Sequence, residues 1–247
     1  MMKKYKSLLY REIKISHKTY IERFILMLLY IVMVLLIVFA EAMTSTDTPV
    51  EVTTGIALQF FLLLAILAAL IICEDNEVFR SDNRTGWARY SMVLPITALE
   101  KTITRYIIRI GTMLMGAVLC GLCTWIVDYK FGSSISGCIV SIYFIMLDVR
   151  LLVDAITSTY TLLSGNEKNA KKIKFILIAI LVLAVLCTFM LLPMEQFVSL
   201  LQEPSVNATM EFFHLPKTFT PIPILVLIPV MAFGFIVMWK NFERRER

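Results

Sequence analysis

Of the 247 residues, 58% are hydrophobic and only 17% charged, with a formal net charge of +5 and a mean hydropathy of +0.77. A water-soluble domain carries about a quarter charged residues, so this composition excludes an ordinary soluble enzyme or binding module and makes a bilayer the solvent. The apolar residues gather into long runs without the alternation of barrel strands, which excludes a membrane β-barrel as well.

The first 23 residues interleave Lys3, Lys4, Lys6, Arg11, Lys14, Lys18 and Arg23 with Tyr5, Leu8, Leu9, Ile13 and Tyr20. That spacing collects the apolar side chains on one helical face and predicts an amphipathic helix lying in the inner membrane interface, lysines towards lipid phosphates. The alternative is a plain basic flank that only fixes orientation.

Six apolar runs follow, near residues 24–42, 54–73, 103–127, 136–163, 175–192 and 222–239. Each approaches the roughly 20 residues that a helix rising 1.5 Å per residue needs to cross about 30 Å of hydrocarbon. The expected fold class is therefore an all-α polytopic membrane protein. Its interfacial helix spans 1–23, its six-helix transmembrane domain 24–242, and its cytoplasmic tail 243–247.

Orientation follows from the basic residues. Of the 24 Lys and Arg only Lys130 and Lys217 fall in outer segments; the rest lie in or beside the N-terminus, the 74–102 segment, the 164–174 link and the C-terminal tail, apart from Arg109 and Arg150, which are expected inside spans towards the inner side. The positive-inside rule then gives N-in and C-in. The net positive charge is read as a membrane-facing cytoplasmic surface and not as a nucleic-acid site.

The inner segment 74–102 is the most patterned part of the chain. Glu74, Asp75 and Glu77 leave the second span, then come Arg84, Gly86, Trp87, Arg89 and Tyr90, then Leu94, Pro95 and Thr97. Pro95 stops any earlier helix, and Thr97 with Glu100 forms a capping-box pattern, so a new helix is expected to begin near Ala98 and run into the third span. A short helix over 83–92 would lie across the cytoplasmic face. The outer segment 193–221 carries enough apolar residues, Phe197, Leu200, Leu201, Phe212 and Phe213 among them, to dip back into the outer leaflet.

No catalytic or metal-binding constellation is found. The two histidines, His17 and His214, are expected on opposite sides of the membrane, and the nine glycines never form a phosphate-binding GxxxxGK[ST] loop. Cys73, Cys120, Cys123, Cys138 and Cys187 lie in or at the ends of apolar runs and read as packing residues, the CxxC of Cys120 and Cys123 included. Charges at membrane depth are the remaining pointer, because each costs several kcal/mol unless paired. Arg150 and Asp154 are four apart and can pair along one helix face, and Asp148 is placed to meet Arg109 of the third span. One reading is a set of pairs that fixes helix packing; the other is a proton or substrate path.

The acidic exit of the second span, followed by Tyr90, Leu94, Pro95, Thr97 and Lys101, resembles the permease subunits of ABC-2-type, or type V, ABC exporters. Six spans, both termini inside, an interfacial N-terminal helix and a longer outer segment between the fifth and sixth spans fit the same layout. The resemblance implies a pair of permeases, two copies or two related chains, in a bacterial plasma membrane. These would be joined to separate cytoplasmic ATPase subunits that hold the ATP and Mg, with no cofactor in this chain. It further implies that Arg84, Gly86, Trp87, Arg89, Tyr90, Leu94 and Pro95 belong to the segment that seats in the ATPase, Trp87 and Tyr90 as anchors. The cargo would be an amphipathic peptide or another membrane-active compound, as in phenol-soluble modulin export, with self-protection against such compounds as a consequence. The competing expectations are a proton-coupled carrier using Asp148 and Asp154, a membrane subunit that binds partners without transport, and an intramembrane enzyme.

Overall fold

A computed structural model describes residues 2–44, 50–72, 96–131, 135–164 and 221–246, with short helical pieces between 172 and 180. All the secondary structure among the described residues is helical: α1 (Met2–Thr44), α2 (Val50–Ile72), α3 (Ala98–Phe131), α4 (Ser136–Ser164) and α5 (Ile222–Glu246). The apolar runs near 54–73, 103–127, 136–163 and 222–239 overlap α2 to α5. The expected fifth span, 175–192, lies mostly outside the described residues, as do the 73–95 stretch and almost all of the outer segment 193–221.

Residues 2–23 run without a break into the first expected span. They are the first half of α1, a single helix of 43 residues and about 64 Å. No Pro or Gly occurs between Met2 and Thr44 to break it. Its buried positions Leu8 and Glu12, then Met27, Ile31, Val34 and Val38, recur at helical spacing on the face turned to the bundle.

Local chemistry sets the other helix ends. At the start of α3 the Thr97 amide donates to Glu100 Oε2 at 2.9 Å while the Glu100 amide donates to Thr97 Oγ1 at 3.3 Å, so two amide donors that a helix start leaves orphaned are each satisfied by the other residue's side-chain oxygen. The turn from α3 to α4 is closed by Asp128, whose two carboxylate oxygens accept the Ile135 and Ser136 amides, each at 2.9 Å. An anion thus sits at the positive end of α4.

The core is built from α1, α2, α3 and α4. Ala57, Ala65, Ala68 and Ala69 of α2 are fully buried beside Leu58, Phe61 and Leu64, and such small residues let helix backbones approach closely. Tyr30 of α1 donates its hydroxyl to the Phe60 carbonyl of α2 at 3.2 Å. Hydroxyls within the helices bond back to their own backbone, as in Thr102 to Ala98, Thr124 to Cys120 and Thr157 to Val153, and so need no water. Cys120, Cys123 and Cys138 are free thiols buried among these apolar side chains.

The outward faces are as apolar as the core. Leu26, Leu29, Leu36, Leu114, Val118, Leu122, Leu225 and Ile228 are all more than half exposed, far more than a water-soluble monomer shows. Among the described residues three helices are long and apolar enough to cross a membrane, over Tyr20–Ala40, Ala98–Phe131 and Ile222–Arg244; α2 has a shorter apolar core at Ile56–Leu70. α1 and α3 run side by side in the same direction, with Arg105 near Glu12 at one end and the Phe131 ring 6.1 Å from that of Phe39 at the other. Either path, Glu12 to Phe39 or Arg105 to Phe131, covers about 40 Å. That is the thickness of a bilayer with its headgroup layers.

Candidate functional site

The charges inside the bundle centre on α3 and α4. Arg109 Nη2 donates to Asp154 Oδ2 at 2.7 Å, and Arg150 Nη2 lies 3.7 Å from Asp154 Oδ1, one turn away on the same helix. Both guanidinium groups are buried. Asp154 is therefore shared by two arginines, its short bond to Arg109 being of the charge-assisted kind. The expected contact of Arg109 with Asp148 is not formed. Six residues of α-helix turn through about 600°, so Asp148 and Asp154 point to different sides of α4, and only the latter faces α3. Asp148 is half-buried, with Oδ1 enclosed and without a hydrogen-bond partner.

Two glycines fit the three helices together around this centre. Tyr143 of α4, fully buried, donates its hydroxyl to the Met113 carbonyl of α3 at 2.8 Å. Its ring lies over Gly116, where a Cβ would collide with the hydroxyl. The Tyr106 hydroxyl of α3 likewise fills the space where a Cβ on Gly234 of α5 would stand, 2.7 Å away, and its ring packs edge-on against Phe235. Beside Gly234 a cavity of about 10 Å³, room for about one water molecule, is lined by Tyr106, Arg109, Asp154, Ser158, Gly234 and Met238.

A second charged cluster lies about one turn further along the same helices, towards the start of α3 and the end of α4. Glu12 of α1 lies 3.2 Å from Arg11 and 3.9 Å from Arg105 of α3. The Arg105 guanidinium stacks 4.8 Å from the centre of the Phe242 ring of α5, and Asn241 donates to the Ser158 carbonyl of α4 at 3.0 Å. Glu12 and Arg105 are both buried. The first half of α1, the start of α3 and the ends of α4 and α5 thus meet at one end of the bundle. Sequence reasoning passed over Glu12. The available signal was that it is the first acid in an otherwise basic flank, four residues after Leu8 and hence on its face.

The residues expected to seat in an ATPase, Arg84, Gly86, Trp87, Arg89, Tyr90, Leu94 and Pro95, lie outside the described residues. The structure takes up the chain again at Ile96, one residue before the capping box. No group of His, Cys, Asp and Glu arranged to hold a metal occurs among the described residues.

Comparison with known proteins returns no match: no family model fits the chain, and neither a curated protein nor a solved structure is significantly similar to it.

Proposed function

We propose that this chain is the permease subunit of an ATP-driven exporter of the ABC-2 type. It would be a six-span plasma-membrane protein with both termini inside, moving amphipathic peptides or other membrane-active compounds outward. ATP is bound and hydrolysed by a separate subunit, and two permeases enclose the path.

The observation that carries this reading is the junction at Leu94, Pro95 and Thr97. The exporter pattern requires the chain to stop at a proline, cap, and launch a helix into the third span, and α3 starts with a reciprocal capping box two residues after Pro95. A rigidly capped start lets a push on the preceding segment move α3 as a rod. The meeting of Glu12, Arg105 and Phe242 at one end supports termini on a common side.

The test is made in the complex of this chain with its ATPase. Trp87→Ala or Tyr90→Ala is expected to abolish substrate-stimulated ATP hydrolysis while the complex stays assembled; unchanged stimulation in both variants removes the two anchors and with them this coupling scheme.

One observation favours a second reading, a proton-coupled carrier. Asp148 has a carboxylate oxygen enclosed without a partner, the kind of intramembrane acid that marks a proton path. Asp154, held by two arginines, does not suit that role, so the carrier would rest on Asp148 alone. It requires transport to persist without ATP and to stop with Asp148→Asn or when the proton gradient is dissipated.

A further inference from the structure

We infer that the outward face of α1 is a binding site for one anionic phospholipid of the inner leaflet. The inference rests on the membrane-spanning reading of the bundle and not on the exporter assignment.

Tyr10, Lys14, His17, Ile21, Ile25, Leu28, Val32 and Leu36 follow one another at intervals of three and four residues, so they form a single stripe along the helix. Every one of them is exposed. In its basic part the stripe lies opposite the buried positions Leu8 and Glu12, and its exposure throughout places it on the face turned from the bundle.

Its chemistry changes once along its length. The first part is basic and aromatic: Lys14 Nζ stands 5.9 Å from the centre of the Tyr10 ring, and Lys18 is exposed beside it. The His17 ring is fixed by Nδ1, which donates to the Lys14 carbonyl at 2.6 Å, because a carbonyl oxygen can only accept. From Ile21 onward the stripe is purely aliphatic.

The depth of the change identifies the ligand. Glu12 and Arg105 mark one end of the roughly 40 Å bundle, so Lys14, His17 and Lys18 stand within about two turns of that end, at the level of lipid phosphates. The aliphatic residues then lie at the level of acyl chains. A soluble anion matches only the first part of the stripe and a neutral lipid only the second. A phospholipid with net negative charge matches both, its phosphate on Lys14 and Lys18 and one chain along Ile21, Ile25 and Leu28.

The purified full-length chain, titrated with dioleoylphosphatidylglycerol or dioleoylphosphatidylcholine and read by native mass spectrometry, tests this directly. The anionic lipid is expected to bind more tightly, and Lys14→Gln with Lys18→Gln to weaken it roughly fivefold for each lysine removed. Dioleoylphosphatidylcholine binding should change little. Lys14→Arg with Lys18→Arg should retain binding, and Lys240→Gln, an exposed lysine at the same end on α5, should leave it unchanged. Millimolar glycerol 3-phosphate should not displace the lipid. Equal affinity for the two lipids, an effect of Lys240→Gln as large as that of the α1 variants, or displacement by glycerol 3-phosphate overturns the inference.

Discussion

Arg109 on α3 and Asp154 on α4 meet at 2.7 Å inside the bundle, and the same carboxylate also faces Arg150. Removing one partner of a buried pair leaves the other charge uncompensated, which costs about 3–5 kcal/mol. Asp154→Asn is therefore expected to lower stability by that order. Asp148→Asn, which breaks no ion pair, should change it by about 1 kcal/mol or less. Thermal unfolding of the two variants in the same mild detergent checks the contrast, and equal losses would contradict the assignment of Asp154 as the shared partner.

The contact of Tyr106 with Gly234 gives a reciprocal test of the α3–α5 seam. A methyl group on Gly234 would stand 2.7 Å from the Tyr106 hydroxyl oxygen, and overpacking of this kind costs about 1–3 kcal/mol. Gly234→Ala is expected to destabilise the protein, and Tyr106→Phe in the same chain to restore most of the loss by deleting the oxygen. Additive losses in the double variant would show that the two residues are not in contact.

Some of this was legible in the sequence and some was not. The start of α3 was legible because a capping box is written within four residues, Thr97 to Glu100, and its bonds form where that pattern says. The charged residues of α3 and α4 were legible as a group. Their pairing was not, because choosing Asp154 over Asp148 requires knowing which side of α4 faces α3, and both are acids in an apolar run. The unity of α1 was missed for a related reason: a change of composition near residue 23 reads as a boundary, whereas a helix ends only where its backbone bonds are broken or capped. Gly116 and Gly234 carry no local signal, since their role lies in a tyrosine brought from another helix.

The capping box itself is open to measurement. Thr97→Ala removes the oxygen that accepts the Glu100 amide and is expected to cost about 1 kcal/mol. Hydrogen exchange of the amides at the start of α3 should accelerate roughly fivefold, with Thr97→Ser close to the parent. Unchanged exchange in Thr97→Ala would mean that the start of α3 is held by something other than this cap.

The central claim, a permease driven by a separate ATPase, is tested most directly by isolating the chain from its native membrane in mild detergent and identifying by mass spectrometry what stays bound. The expected result is a stoichiometric subunit carrying a phosphate-binding GxxxxGK[ST] loop. Its reproducible absence, with this chain intact and its α3–α4 ion pair preserved, would contradict the exporter account and direct the next experiment to Asp148.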